Sequence, residues 1–176
     1  PHGIDLGPLE PSLPEVLATE SSRIELVPEL IEDELERLRA TIGGPRPALV
    51  LIGRRHVRSN NSWMHNIEVL VKGRDRCTLQ VHPQDATTAQ VLDGDRAVLA
   101  SEVGAVEVVV EVTEDVMPGV VSLPHGWGNG GEGTRLTVAS ARPGSNINAV
   151  TDDAVLDEPS GTSAFSGVPV SLRALP

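Results

Sequence analysis

Short apolar segments rich in valine, separated by glycine and proline, are the feature that most constrains the fold of this chain. The apolar residues are mostly Val, Leu, Ala and Ile, and the 17 Gly and 14 Pro supply many turns. Valine and isoleucine favour strands because their branched side chains pack well on a pleated surface. We expect strands over residues 47–53, 76–81, 96–100, 105–112, 119–123 and 168–172.

Few segments of the chain have the pattern of a helix. One helix is predicted over residues 28–42, because Pro28 suits the first turn and a pair of glycines follows the last one. A short helix is predicted over 84–90, and residues 67–73 fit either a short helix or a strand. These helices are too few for the crossovers of a parallel doubly wound sheet. The sequence therefore predicts a mainly β fold, a small closed barrel with about six strands and a few short helices.

The chain divides into two regions by composition. Residues 1–45 are predicted to form an N-terminal extended arm and a helix that lead into the domain, and residues 46–176 to form the barrel. The arm is rich in proline and acidic residues. The helix has an apolar face at helical spacing, formed by Leu30, Ile31, Leu35, Leu38 and Ile42.

Charge is distributed unevenly along the chain. Residues 1–40 carry a net charge of −7, residues 41–82 carry +5 and the remainder carries −9, within a total of −11. A basic region inside an acidic protein indicates a local anion site. The total charge argues against general binding of nucleic acid, which needs a broad basic face.

The cysteine and histidine content limits the classes of site. A single cysteine, Cys77, excludes an internal disulfide framework, and its apolar surroundings predict a packed rather than a reactive thiol. The five histidines lack metal-site spacing, so we predict no metal ligand. No apolar run reaches the roughly 18 residues of a membrane span, and no signal-peptide pattern is present. We expect a piece of a longer cytoplasmic protein.

The strongest candidate site follows the apolar segment 47–52. Guanidinium groups bind phosphate through paired hydrogen bonds, and Asn and Ser side chains suit a heterocycle that carries amino and carbonyl groups. A tryptophan offers a plane for ring stacking. The alternative is a solvated surface loop anchored by a buried tryptophan. The residues concerned are Arg54, Arg55, Arg58, Ser59, Asn60, Asn61, Ser62 and Trp63.

Two later segments are weaker candidates. Residues 124–128, Pro-His-Gly-Trp-Gly, also follow a strand, and their glycines permit close approach of backbone to a ligand; the alternative is a plain turn with a packed tryptophan. Residues 124–150 are too long for a simple connection, which indicates a functional loop. Asn148 is a candidate ligand, whereas Thr151 or Asp152 are candidate helix caps.

The order of these motifs resembles a known family. An apolar strand precedes Gly-Arg-Arg and Arg-Ser-Asn-Asn-Ser-Trp-Met-His-Asn, and Val-His-Pro-Gln-Asp-Ala, Asp-Gly-Asp, Met-Pro-Gly-Val-Val, Pro-His-Gly-Trp-Gly and Asn-Ile-Asn-Ala-Val-Thr-Asp follow. Over about residues 47–174 this resembles the C-terminal molybdopterin-dinucleotide-binding domain of the molybdopterin oxidoreductases, which include formate dehydrogenases, nitrate reductases and dimethyl sulfoxide reductase.

The resemblance implies a fold, a cofactor and a set of site residues. The fold would be a six-stranded double-psi β-barrel that caps bis(molybdopterin guanine dinucleotide), a molybdenum cofactor held mainly by the other domains of the parent enzyme. The isolated domain would have no turnover and would bind the cofactor weakly or not at all, while its separated surface would be prone to self-association. The implied cofactor-binding residues are Gly53, Arg54, Arg55, Ser59, Asn60, Asn61, Ser62, Trp63, His125, Trp127, Asn148 and Phe165.

Two other classes of function stay open at the level of the sequence. Double-psi barrels also serve as adaptor-binding modules, and Trp and Arg are enriched in protein interfaces. An independent barrel enzyme, such as a decarboxylase, is disfavoured because the chain shows no nucleophile signature.

Overall fold

The computed structural model describes residues 2–175, which form two compact units, one ending at Gly44 and the other beginning at Pro45. The first unit contains turns and one helix, α1 (Glu29–Ile42), and so confirms the predicted helix. Glu29 and Glu32 lie in its first turn and Arg39 in its last, which suits the helix dipole. No residue of α1 is buried, and its apolar face is exposed, from 38% at Ile31 to 71% at Ile42.

The second unit is built on six main strands and a small hairpin. The hairpin pairs β6 with β7. The eight strands are β1 (Leu49–Arg54), β2 (Thr78–Val81), β3 (Arg96–Ala100), β4 (Ala105–Val112), β5 (Val120–Pro124), β6 (Leu156–Asp157), β7 (Thr162–Ser163) and β8 (Ser166–Ala174).

The six main strands close into a barrel in the order β1-β5-β2-β4-β3-β8. Two neighbouring pairs, β1 with β5 and β2 with β4, are parallel, and the other four pairs are antiparallel. The prediction of a small closed six-stranded barrel is confirmed, and the two parallel pairs are consistent with a double-psi arrangement. The predicted hairpin of β3 and β4 is also confirmed.

Short helices fill the connections of the barrel. The ambiguous segment is a helix, and the long loop before β6 contains one α-helix and one turn of 3₁₀ helix. Within residues 2–175, no helix has both the length and the apolar content that a bilayer crossing requires. The helices are α2 (Glu68–Val71), α3 (Pro83–Ala89), α4 (Thr137–Ala141) and the 3₁₀ helix (Ile147–Val150).

Alternating side chains of the strands fill the barrel interior. Leu51, Leu79, Leu99 and Leu123 are completely buried and belong to one apolar cluster that all six strands enter. Burial of a leucine side chain contributes about 1.5–3 kcal/mol, so this cluster is the main source of stability. The barrel is therefore a rigid support for the loops at its ends.

The parallel pairing of β1 and β5 positions two of the candidate segments. Gly53 lies opposite Leu123 and Arg54 opposite Pro124, so both strands end at the same level of the barrel rim. We call the chain segments that follow them, residues 55–67 and 125–136, the first and second rim loops. Because parallel neighbours run in the same direction, the two rim loops leave the barrel side by side.

Candidate functional site

The two rim loops touch each other directly. The amide of His125 donates to the carbonyl oxygen of Arg54 at 3.0 Å. Beyond it, Gly126 has a φ of +95°, and a Cβ on this residue would lie 1.7 Å from the carbonyl oxygen of Asn61. Only a residue without a side chain allows this approach. The glycines of residues 124–128 were expected to let backbone approach a ligand closely. Gly126 instead lets the second rim loop approach the first one closely.

Hydrogen bonds fold the first rim loop on itself. The carbonyl oxygen of His56 accepts from the amides of Ser59 and Asn60 at 3.2 Å, and from the buried Ser59 hydroxyl at 3.1 Å. Asn60 and Asn61 have φ values of +43° and +60°, a conformation that asparagine tolerates better than most residues. Ser59 thus shapes the loop from within, while Asn60 and Ser62 are exposed on it.

The outer surface of the first rim loop carries an exposed aromatic ring and exposed cations. Trp63 is 83% exposed, so the alternative in which this loop has a buried tryptophan anchor is wrong for Trp63. Arg55 and Arg58 are exposed as well, and Arg55 donates to the side-chain oxygen of Asn61. An exposed indole beside guanidinium groups is suited to stacking on a ring that carries phosphate.

Arg54, next in sequence to Arg55, has a different environment. Its guanidinium donates to the carbonyl oxygen of Ser122 and, at 2.7 Å, to that of Thr78. The Thr78 hydroxyl in turn donates to Glu111. Burial lowers the pKa of Arg54, and the negative charge of Glu111 opposes this shift. Arg54 therefore ties β1 to β5 and β2 at the barrel rim.

Four of the predicted residues line one small cleft of about 150 Å³. They are Gly53, Arg55, His125 and Phe165, with Ile147 and Ser166 completing the walls. The rings of His125 and Phe165 are 5.9 Å apart between centroids. Burial lowers the pKa of His125, and the positive charge of Arg55 lowers it further, so the imidazole is neutral at pH 7.

Trp127 lies inside the second rim loop and is only 7% exposed. Its ring meets that of His65 edge-on, with 4.5 Å between centroids. Its Nε1 is buried without a hydrogen-bond partner among residues 2–175. Trp127 was predicted to line the cofactor site; the structure shows it packed beneath the loop.

His65 and Asn129 connect the two rim loops below the surface. Asn129 Nδ2 lies 3.1 Å from His65 Nδ1 and 2.8 Å from the carbonyl oxygen of Gly126. His65 Nε2 lies 2.8 Å from the carbonyl oxygen of Arg142, so Nε2 carries the proton and donates. Asn129 was not among the predicted site residues, because its contact with His65 spans 64 positions of the chain and leaves no local motif.

The third candidate segment packs against the second rim loop. A Cβ on Gly128 would lie 2.4 Å from the Cβ of Asn146. The side chain of Asn146 accepts from the amide of Asn148 at 3.1 Å and thereby caps the 3₁₀ helix. Neither Thr151 nor Asp152 has that role, and Asn148 is exposed. The side chain of Asn148 is therefore available to a ligand, which is the role predicted for it from the sequence.

Cys77 is buried, as expected, at 2% exposure. Its burial raises the pKa of the thiol to about 11, so it is neutral at physiological pH. Among the residues described, no three His, Cys, Asp or Glu side chains are grouped so that they would hold a metal ion.

Comparison with known proteins gives a family match and similar solved structures. A family described as "Molydopterin dinucleotide binding domain" matches residues 49–169. Acetylene hydratase from Pelobacter acetylenicus has a similar fold, with a TM-score of 0.61 and 20% sequence identity; the match covers 85% of this chain and 20% of that chain. A search of curated proteins found no match.

The matched range contains all the predicted site residues, from Gly53 to Phe165. It spans all of the barrel strands except the end of β8. The match favours a cofactor-binding role over the protein-interaction alternative. Because the family match covers most of the chain and the closed barrel is consistent with it, the chain belongs to the molybdopterin dinucleotide binding domain family.

Proposed function

We propose that this chain is the C-terminal domain of a larger molybdenum oxidoreductase, in which it helps to bind and orient bis(molybdopterin guanine dinucleotide). The family match supports the cofactor class. The observation that carries the proposal is the contact between the two rim loops, which leave Trp63 exposed and place Arg55 and His125 along a small cleft. The domain has no turnover alone, and the remaining domains of the parent enzyme are its partners.

The residues at the rim fit a phosphorylated heterocycle. Arg55 and Arg58 are exposed guanidinium groups that match phosphate oxygens, and the exposed side chains of Asn60 and Ser62 offer both donors and acceptors. Trp63 offers a face for a ring system. When bound, the cofactor supplies the redox chemistry of its molybdenum centre, and the protein supplies binding and orientation.

Each proposed contact has a distinct physical role. Trp63 covers one face of a ring and shields it from water. Arg55 neutralises phosphate charge, and its bond to Asn61 fixes its direction. His125 is neutral at pH 7, so it can donate or accept one hydrogen bond without adding charge. Asn148 contributes a side-chain amide from the third segment.

The substrate of the parent enzyme is a further part of the proposal. We favour a formate dehydrogenase-like or nitrate reductase-like enzyme, because both belong to the superfamily that the motif order resembles. One of the similar structures is that of an acetylene hydratase, and the match covers 20% of its length, so the fold alone does not decide between substrates.

Cofactor retention in the parent protein tests the proposal. The parent protein is purified as wild type and with Trp63→Ala, Arg55→Gln or Asn148→Ala, and Leu92→Ala is the control because Leu92 is also exposed, at 73%, but lies outside the rim loops. Bound molybdenum is measured by mass spectrometry, and GMP released by mild acid is measured by chromatography. We expect a loss of about tenfold in retained cofactor for Trp63→Ala, as for loss of one stacking contact of roughly 1–3 kcal/mol.

The melting temperature of the 176-residue chain separates binding from folding. The side chains of Trp63, Arg55 and Asn148 are exposed and contribute little to the packing of the barrel, so the three variants should have the melting temperature of the wild type. A parent protein without pterin, or rim variants that retain as much cofactor as Leu92→Ala, would contradict the proposal. Release of CMP instead of GMP would show that the cofactor is the cytosine rather than the guanine dinucleotide, and the proposed binding role would still hold.

A further inference from the structure

A second, larger cleft of about 600 Å³ shares no lining residue with the small cleft at the rim. Of the predicted cofactor-binding residues, only Trp127 lines it. Four arginines and two carboxylates surround it, which gives a local excess of positive charge in a chain whose net charge is −11. We call it the arginine cleft; its charged residues are Arg74, Asp75, Arg76, Arg96, Glu107 and Arg142.

Two of the arginines are held in place by backbone. Arg142 Nη1 donates to the carbonyl oxygens of Val71 and Gly73 at 2.9 and 3.2 Å. Arg76 Nη1 donates to two further carbonyl oxygens of the same turn, both at 3.2 Å. A guanidinium has five N–H groups, so each of these side chains keeps donors after binding the turn. Fixed guanidinium groups lose little conformational entropy when they bind an anion.

The charges of the arginine cleft are not fully compensated. Glu107 pairs with Arg96, and an oxygen of Asp75 accepts from the amide of Cys77 at 2.9 Å. Arg74 is exposed and has neither a hydrogen bond nor an ion pair from its side chain to any residue in the range 2–175. A positive group without a partner, beside two fixed ones, attracts a multivalent anion.

Most of the remaining lining of the cleft is apolar. Val71, Val108, Trp127 and Pro143 contribute to its walls. Its volume lies in the range of about 300–1,000 Å³ that is usual for small-molecule sites, and a single inorganic anion fills only a fraction of it. The ligand that matches these walls has both an anionic group and an apolar part.

We propose that the arginine cleft binds a small phosphorylated organic molecule, with its phosphate among the guanidinium groups and its apolar part against the valine and proline walls. Phosphate suits this set of donors because its oxygens accept from several planar guanidinium groups at once. The site adjoins the second rim loop through Trp127 but shares no lining residue with the small cleft, and the proposal does not depend on the proposed function.

Calorimetric titration of the 176-residue chain tests this site, with phenyl phosphate as the probe and inorganic phosphate as the comparison. We expect phenyl phosphate to bind several-fold more tightly, because the apolar walls contact its ring. Arg74→Gln should weaken binding about tenfold, by loss of one charge-assisted contact. Glu107→Gln should tighten binding, because it frees Arg96 and removes a negative charge.

Matched variants separate a local site from the effect of net charge. Arg46→Gln and Glu114→Gln make the same two charge changes outside both the arginine cleft and the rim loops, and we expect neither to alter the affinity. Arg74 and Arg46 are both exposed, so both variants should have the melting temperature of the wild type. Absence of binding at millimolar probe, equal weakening by the two arginine variants, or weakening by Arg46→Gln alone would overturn the proposal. None of these outcomes bears on cofactor retention in the parent protein.

Discussion

Substitution of Gly126 by alanine tests the contact between the rim loops. The new Cβ would lie 1.7 Å from the carbonyl oxygen of Asn61 and 2.3 Å from its carbonyl carbon, and both are backbone atoms. The loops must therefore separate, because no side-chain rotation can remove the clash. The φ of +95° adds a backbone penalty for any residue with a Cβ.

Two other glycines allow these contributions to be separated. Gly133 has a φ of +84°, and no atom lies within 4 Å of the position that a Cβ would take, so Gly133→Ala measures the backbone penalty alone, about 1–2 kcal/mol. Gly131 has neither a positive φ nor a neighbour within 4 Å, so Gly131→Ala should be close to neutral. Gly126→Ala should add a steric cost of about 1–3 kcal/mol to the backbone penalty.

The free energy of unfolding in urea, followed by circular dichroism, measures all three variants. We expect the order Gly126→Ala, Gly133→Ala and Gly131→Ala from most to least destabilised, with a total of roughly 2–5 kcal/mol for the first. Equal destabilisation by Gly126→Ala and Gly133→Ala would refute the contact between the loops. It would also remove the structural basis for a joint site at the rim.

Three further predictions concern ionisable groups. Arg54→Gln should destabilise the chain by about 2–4 kcal/mol in urea unfolding, because buried carbonyl oxygens and Glu111 lose their cationic partner, whereas the exposed control Arg58→Gln should stay within about 0.5 kcal/mol. The lowered pKa of His125 means that the unfolded chain takes up this proton first as the pH falls below about 6.5. Stability should therefore decrease from pH 7 to pH 5, and His125→Gln should lose less stability over that interval; an equal loss would contradict the lowered pKa. Cys77, with a thiol pKa of about 11, should react with a disulfide reagent at pH 8 at least about 100-fold more slowly in the folded chain than in urea.

The main strands were predictable because their signals are local. The hairpin 96–100 and 105–112 agrees with the structure at both ends, since alternation of apolar residues and a glycine-containing turn define it without reference to distant residues. The segment 67–73 was ambiguous because its helix has only four residues, too few to establish a helical period. The apolar face of α1 was visible in the sequence, but its exposure was not.

The details of the site were less accessible to sequence reasoning. Arg54 and Arg55 are consecutive, and adjacent residues at the end of a strand point to opposite sides. The guanidinium of Arg54 therefore binds backbone of the neighbouring strands, whereas that of Arg55 faces solvent. The two tryptophans both lie in rim loops but have opposite burial. Trp127 is covered by His65, whose own partner is Arg142, and such long-range contacts leave no local signal.

The contrasting positions of Trp63 and Trp127 make the chain its own optical probe. Because the chain has no tyrosine, its ultraviolet fluorescence comes almost entirely from these two indoles. The indole of Trp63 is exposed to water and that of Trp127 is buried. A molecule that settles on the rim should quench the red-shifted component, whereas loss of the barrel should shift the blue component toward red. A single fluorescence measurement can therefore distinguish binding at the rim from unfolding of the barrel, without a label and without a change to the sequence.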